Sequence, residues 1–384
     1  MTLQRRSTSN SVFLRNFRSA LICLLVFLLA ACQGVTPASI TEIILPGADN
    51  TPAQQTATIE PTSRTQPDLP RMFQSSYLNV YDTPHGYIKD TCQYLNAKWD
   101  PNNAAPGTVV MLIMFHGIFK GKPEGPDGIH VIDFIRIMDH LKAQGFEAIN
   151  TKQLADFLEN NSKIPMRSVV IIQDDQQSAE NFNKNFRQYW ADWGWPVVNG
   201  WPSQPDTLEE LWQENIAFEN EGWVDHQSQG MMIGSYLTDG SPSAVISREL
   251  KDSITLFEDR FNKKPIAIVW PGGGFGFGPV EAARRLGYRL GFTLNSRGPV
   301  MYNWVPLANK EDPGRPAFIP EGPINDPLMT LPRYWPHQVL EALDYVRITG
   351  NEAAAYAEEN KSVELKYYDI VCKAAYGPIP TAVP

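Results

Sequence analysis

The stretch Ser168-Val169-Val170-Ile171-Ile172-Gln173-Asp174-Asp175-Gln176 decides the reading of the fold. Its β-branched run reads as a strand buried on both faces, as in a parallel α/β sheet. Carboxylates at the C-terminal tip of such a strand suit an active site at the open end of a sheet or barrel. Adjacent strand residues point to opposite sides, so the two acids are expected to do different jobs. One could hold a metal while the other takes a proton. A glycosidase pair is disfavoured, because neighbours on one strand diverge too far to flank a single bond.

Strand and helix signals alternate on either side of this stretch. Thr108 to Phe115 is an apolar run ending at His116, and Asp133 to Gln144 is an amphipathic helix stopped by Gly145. A short strand over Phe146 to Ile149 leads to a helix from Thr151 to Leu158. Helices are expected over 178–190, 207–221, 247–261, 279–286 and 336–346, and strands over 223–228, 266–270 and 289–294. Repeated βα units of this size imply parallel strands with helices outside. Trp190, Trp193, Trp195 and Trp201 follow the acid pair, and one or two of them are expected to line a groove.

This order of features resembles the polysaccharide deacetylase family (carbohydrate esterase family 4, the NodB-homology domain). The resemblance covers about residues 108 to 346 and rests on several segments. Gln173-Asp174-Asp175-Gln176 is similar to the family's strand-end acid pair. Met114-Phe115-His116 resembles a first strand ending in aromatic-His. Trp270-Pro271-Gly272-Gly273 resembles the Pro-x-Gly segment that walls the groove, and Leu331-Pro332-Arg333 a late strand ending in Pro-Arg. The resemblance implies an α/β, single-domain, distorted (β/α)7 barrel. It implies Asp174 as general base, Asp175 as metal ligand, and a groove that includes Trp270, Pro271, Gly272 and Arg333. The implied reaction is hydrolysis of N- or O-acetyl groups on a glycan, assisted by a zinc-like divalent metal.

The chain departs from that pattern where the metal would bind. Gln229 and Ile233 stand at the positions of the two family histidines, and Val269 stands where an arginine normally orients the base. An amide is a poor zinc ligand and Ile cannot coordinate. His226 lies three residues before Gln229 and should face the opposite side of its strand. His116 is the remaining histidine suited to a rebuilt metal site with Asp175, and His337 is a candidate replacement for the late catalytic acid. Three readings stay open: a deacetylase-family enzyme with a rearranged site, a non-catalytic glycan-binding or scaffold protein, with no metal, on the same barrel, or a different hydrolase on that barrel.

The ends of the chain bear on location. Arg5, Arg6, Arg15 and Arg18 precede an apolar core ending in Leu29-Ala30-Ala31-Cys32. The segment reads as a signal, too short in its apolar core to span a membrane. It resembles a bacterial lipoprotein lipobox, which implies lipidation at Cys32 and an extracytoplasmic protein anchored to the membrane. An ordinary signal peptide is the alternative. The expected plan is 1–31 signal, 32–70 tether, 71–107 N-terminal extension, 108–346 barrel and 347–384 C-terminal extension. The formal charge of −9 becomes −13 once the four signal arginines are removed. That argues against nucleic acid and leaves a polysaccharide or peptidoglycan-type glycan as partner. Cys92 and Cys372 suit one disulfide joining the ends of an exported domain, with two buried thiols as the alternative.

Overall fold

The computed structural model describes residues 65–381, apart from 124, 126, 316 and 317. The signal, Cys32 and nearly all of the tether therefore lie outside the described residues. Among the described residues no helix is long and apolar enough to cross a membrane.

Seven parallel strands form one sheet: β1 (Val109–Phe115), β2 (Glu147–Ala148), β3 (Arg167–Asp174), β4 (Val197–Trp201), β5 (Val224–Ser228), β6 (Ala267–Val269) and β7 (Leu290–Phe292). Their order is β7-β6-β5-β4-β3-β1, with β2 paired to the start of β3. The main helices are α1 (Thr91–Trp99), α2 (Val131–Ala143), α3 (Thr151–Asn160), α4 (Ala179–Asn185), α5 (Arg187–Trp193), α6 (Glu209–Glu221), α7 (Ser253–Phe261), α8 (Phe277–Leu286) and α9 (Val339–Tyr367). The fold is thus an α/β barrel of seven strands.

The barrel is closed by an extended segment that no regular strand contains. Leu331 bridges in parallel to Phe292 of β7, and Tyr334 bridges in parallel to Ile113 of β1. Leu331 N–H donates to Gly291 O at 2.8 Å and Tyr334 N–H donates to Leu112 O at 2.7 Å. Residues 331–334 thereby satisfy backbone groups that would otherwise be left open at both edges. Arg333 sits in the middle of this closing segment.

Alternation along the strands sorts the core into two layers. Val110, Leu112, Val170, Ile172, Val198, Val269 and Phe292 pack in one cluster with Leu154, Phe157 and Leu158 of α3. Met111, Ile113, Phe115, Val169 and Ile171 pack in another with Phe134, Ile137 and Met138 of α2. Asp174 continues the even-numbered side of β3.

Three elements differ from the sequence reading for identifiable reasons. β4 is not expected, because Asn199 and Gly200 interrupt its apolar run, yet it pairs with both β3 and β5. The expected helix over 178–190 divides at Phe186, whose φ of −118° turns the chain while Phe182, Phe186 and Tyr189 all enter the core. The last helix does not stop at Val346 but runs to Tyr367. Gly350 lies inside it because a Cβ there would meet Gly107 O at 2.8 Å and Val109 Cγ1 at 3.0 Å. That glycine serves close packing of α9 on the start of β1. Cys92 of α1 and Cys372 beyond α9 form a disulfide, and Lys98 pairs with Glu364 at 2.7 Å between the same two regions.

Candidate functional site

Asp174 ends β3 and is 1 % exposed. A buried carboxylate needs a partner, and Arg333, itself 0 % exposed, supplies it. Nη1 of Arg333 donates to Oδ1 of Asp174 at 2.6 Å, and Nε donates to Thr293 O at 2.8 Å. The guanidinium therefore reaches from the closing segment across to the tip of β3. Position 269, where the resemblance leads one to expect an arginine, holds a buried Val, and the arginine that meets Asp174 comes from elsewhere in the chain. Expected as a groove residue, Arg333 instead lies wholly inside the protein, behind Asp174.

His116 follows β1 and brings Nε2 to 3.4 Å from Oδ2 of Asp174, with the histidine side chain 19 % exposed. Its ring runs parallel to Trp335, at 13° and 6.1 Å between centroids. Gln173 fixes the local backbone by donating to Phe115 O at 3.1 Å and to His116 O at 2.6 Å. From the unexpected strand β4, Asn199 donates to Gln173 O at 2.7 Å and to Asp175 O at 3.0 Å.

Asp175 does not obey strand alternation. The strand has ended, and Asp175 takes a left-handed φ of 67°, which few non-glycine residues adopt. The turn keeps its carboxylate in the same polar cluster as Asp174, so the expected separation onto opposite sides does not hold. Burial and then the Asp174 charge push the Asp175 carboxyl above its usual range, while His116, Gln229 and Arg333 pull it the other way.

Gln229 clasps Asp175 twice. Its Oε1 accepts the Asp175 backbone N–H at 2.9 Å, and its Nε2 donates to Asp175 Oδ1 at 3.0 Å. The first bond fixes the amide orientation, so the NH2 group must face the carboxylate. Gly200 makes room for the clasp, since a Cβ there would sit 3.1 Å from Gln229 Oε1. The loop carrying Gln229 is anchored by buried Glu249, which accepts the backbone N–H groups of Met231 at 2.7 Å and Met232 at 3.0 Å.

These residues do not fit the zinc-like ion that the resemblance implies. At the position of one expected histidine an amide presents its protons to the carboxylate. At the other, Ile233 is aliphatic and 51 % exposed. Among the described residues no three His, Cys, Asp or Glu side chains converge as a metal-binding group.

The other expected site residues are dispersed. His337 is exposed on the turn Pro336–Gln338, and among the described residues no hydrogen bond or ion pair joins it to Asp174 or Asp175. Trp335, two residues earlier, is the one that meets His116. Trp270 is 1 % exposed and donates to Met329 O at 2.7 Å, so it is core and not groove wall. Pro271 is buried, and Gly272 is partly exposed. Trp195 and Trp201 are core, while Trp190 and Trp193 are partly buried against the α2 layer. His226 faces away from the site, as its register requires, and is held by Glu219 and Asn215 at 2.9 Å each. A cavity of about 270 Å³ lies near Thr108, at the start of β1, and touches none of the candidate residues.

No protein-family model matches the chain, and no curated protein matches it in sequence. Solved structures similar to it include the deacetylase PplD from Streptococcus pyogenes in complex with acetate (17 % identity, 63 % of this chain and 99 % of that one, TM-score 0.49). IcaB from Ammonifex degensii is similar at 14 % identity over 63 % of this chain and 98 % of that one, TM-score 0.48. A polysaccharide deacetylase from Bacillus cereus is similar at 16 % identity over 61 % and 69 %, TM-score 0.46. At these identities the likeness is one of fold alone.

Two outcomes test this geometry. Arg333→Met strands a buried carboxylate and is expected to cost about 3–5 kcal/mol in denaturant unfolding. The double change Arg333→Met with Asp174→Asn should cost clearly less than the two single changes added together. For Asp175, a raised folded-state pKa means that its contribution to stability is complete below the unfolded value. That contribution is lost as pH rises through the folded value. Asp175→Asn keeps an acceptor for Gln229, so its Tm should equal or exceed wild type near pH 7, with the difference vanishing near pH 3.5. A variant less stable than wild type at pH 7 would contradict this.

Proposed function

We propose that this protein is a divergent member of the polysaccharide deacetylase family that recognises a cell-envelope or extracellular glycan without the family's metal-assisted hydrolysis. A lipid on Cys32 would hold it at the membrane, outside the cytoplasm, where such glycans are met. The observation that carries the reading is the double clasp between Gln229 and Asp175. It satisfies, with the protein's own amide, the carboxylate that would otherwise hold the metal. The polar cluster is retained meanwhile: Arg333 holds Asp174 from inside, and His116, Asp175 and Trp335 are its partly exposed members. Among the described residues Nδ1 of the partly exposed His116 has no hydrogen-bond partner, which suits a site that hydrogen-bonds a ligand. A charge of −13 favours neutral glycans over polyanions.

One observation favours a second reading, hydrolysis of an acetyl group by the protein's own residues. His116 Nε2 stands 3.4 Å from Asp174, an arrangement able to move a proton, with Asp174 as the base. The two readings separate in one assay. Full-length protein is incubated with chitin and with peptidoglycan, with and without EDTA, and both retention and released acetate are measured. Retention on a glycan, insensitive to EDTA and without acetate release, is the expected result. Release insensitive to EDTA supports the second reading, release abolished by EDTA contradicts both, and absence of retention on every glycan contradicts recognition.

A further inference from the structure

The loop after β5 leads to an unusual exposed aromatic. Tyr236 is 61 % exposed, yet it is not loosely placed. Its ring lies flush on the glycine run that follows β6. A Cβ at Gly272 would stand 2.8 Å from Tyr236 Cε2, and one at Gly274 would stand 2.7 Å from Tyr236 Cδ1. Real Cβ atoms do not approach that closely, so a side chain at either position would lift the ring. Gly272 also has a φ of 59°, but Gly274 has an ordinary extended φ of −79°, so its lack of a side chain answers to the ring and neighbouring backbone rather than to conformation. On the other side of the loop, Ser241 Oγ donates to Tyr236 O at 3.1 Å and accepts Thr238 N–H at 3.0 Å, and Leu237 is wholly buried. One face of the ring is thus backed by rigid backbone while much of the residue remains open to solvent.

This ring connects to the carboxylate site through residues in contact. Gly273 lies against Leu294, where a Cβ would come within 2.5 Å of Cδ1. Leu294 O accepts the Trp335 indole N–H at 3.1 Å, Trp335 stacks on His116, and His116 pairs with Asp174.

We propose that Tyr236 is a sugar-stacking platform, an outer subsite of a glycan face formed by the partly exposed Trp335, His116 and Asp175. The proposal rests on the glycan reading above and names a residue that determines how it binds. A pyranose ring has an apolar C–H face about the size of one phenol ring and a rim of hydroxyls that stay hydrated. A single pre-placed aromatic with one covered face matches it, and pre-placement removes the entropy cost of ordering the ring on binding. Contact, through Leu294, Trp335 and His116, with a polar cluster favours a sugar over a bilayer, which would require a wider apolar face.

The test uses full-length protein and chitohexaose as the probe, with affinity read by titration calorimetry. Tyr236→Ala should weaken binding about three- to tenfold, and Tyr236→Trp should retain it. Gly274→Ala, which keeps the tyrosine but displaces it, should weaken binding like Tyr236→Ala. Tm should stay close to wild type in Tyr236→Ala, since the side chain is mostly exposed. Wild-type binding that is equally strong in Tyr236→Ala overturns the platform and leaves the glycan reading standing. Loss in Tyr236→Ala of affinity for phosphatidylcholine vesicles, with sugar binding unchanged, also overturns it in favour of a membrane contact. Absence of wild-type binding to chitohexaose overturns the platform as assigned, and the glycan reading falls with it only if chitin and peptidoglycan also fail to retain the protein.

Discussion

The ion pair between Asp174 and Arg333 is where the fold and the site become one problem. Both groups are essentially inaccessible to water, so each is tolerable only because the other is present. Arg333 can reach Asp174 because residues 331–334 close the barrel between β7 and β1. Closure puts the guanidinium inside, and the pair in turn joins the closing segment to the tip of β3. A sheet left open along that edge would leave the buried carboxylate without the guanidinium that pairs with it. The strand-end acid Asp174 is thus held by a cation from the closing segment, while position 269 holds Val.

A second constraint sits beside it. Asp175 turns into a left-handed conformation and brings its charge close to Asp174, which raises the cost of ionising it. Gln229 offsets that cost with both ends of its amide. Gly200, Asn199 and Glu249 then read as supports: one clears space, one pins the Asp175 carbonyl, and one anchors the loop that carries the amide. The Asp175 carboxylate is met by an amide at the place where a metal would have to displace that amide–carboxylate pair.

Much of this was legible in the sequence, and the rest was hidden for physical reasons. The buried run before Asp174 and the helix expected over Asp133 to Gln144, found at Val131–Ala143, follow from periodicity, while the seven-strand barrel follows from the family resemblance. Alternation correctly turned His226 away from Gln229. It failed at Asp175, because a rule about strands says nothing about the first residue past one. β4 was hidden by Asn199 and Gly200, the very residues that serve the site. Arg333 was visible as part of a Pro-Arg ending, but its burial and its partner depend on a contact spanning 159 residues, which local pattern does not encode. Trp270 read as groove wall because its motif neighbours a groove, whereas its indole is occupied by Met329 O.

The account turns on the claim that Gln229 replaces, rather than assists, metal ligation at Asp175. The most direct measurement is the zinc content of full-length protein after equilibration with excess zinc and desalting, for wild type beside Asp175→Ala. The account predicts far less than one zinc per chain in both proteins. One zinc per wild-type chain that disappears in Asp175→Ala would contradict it.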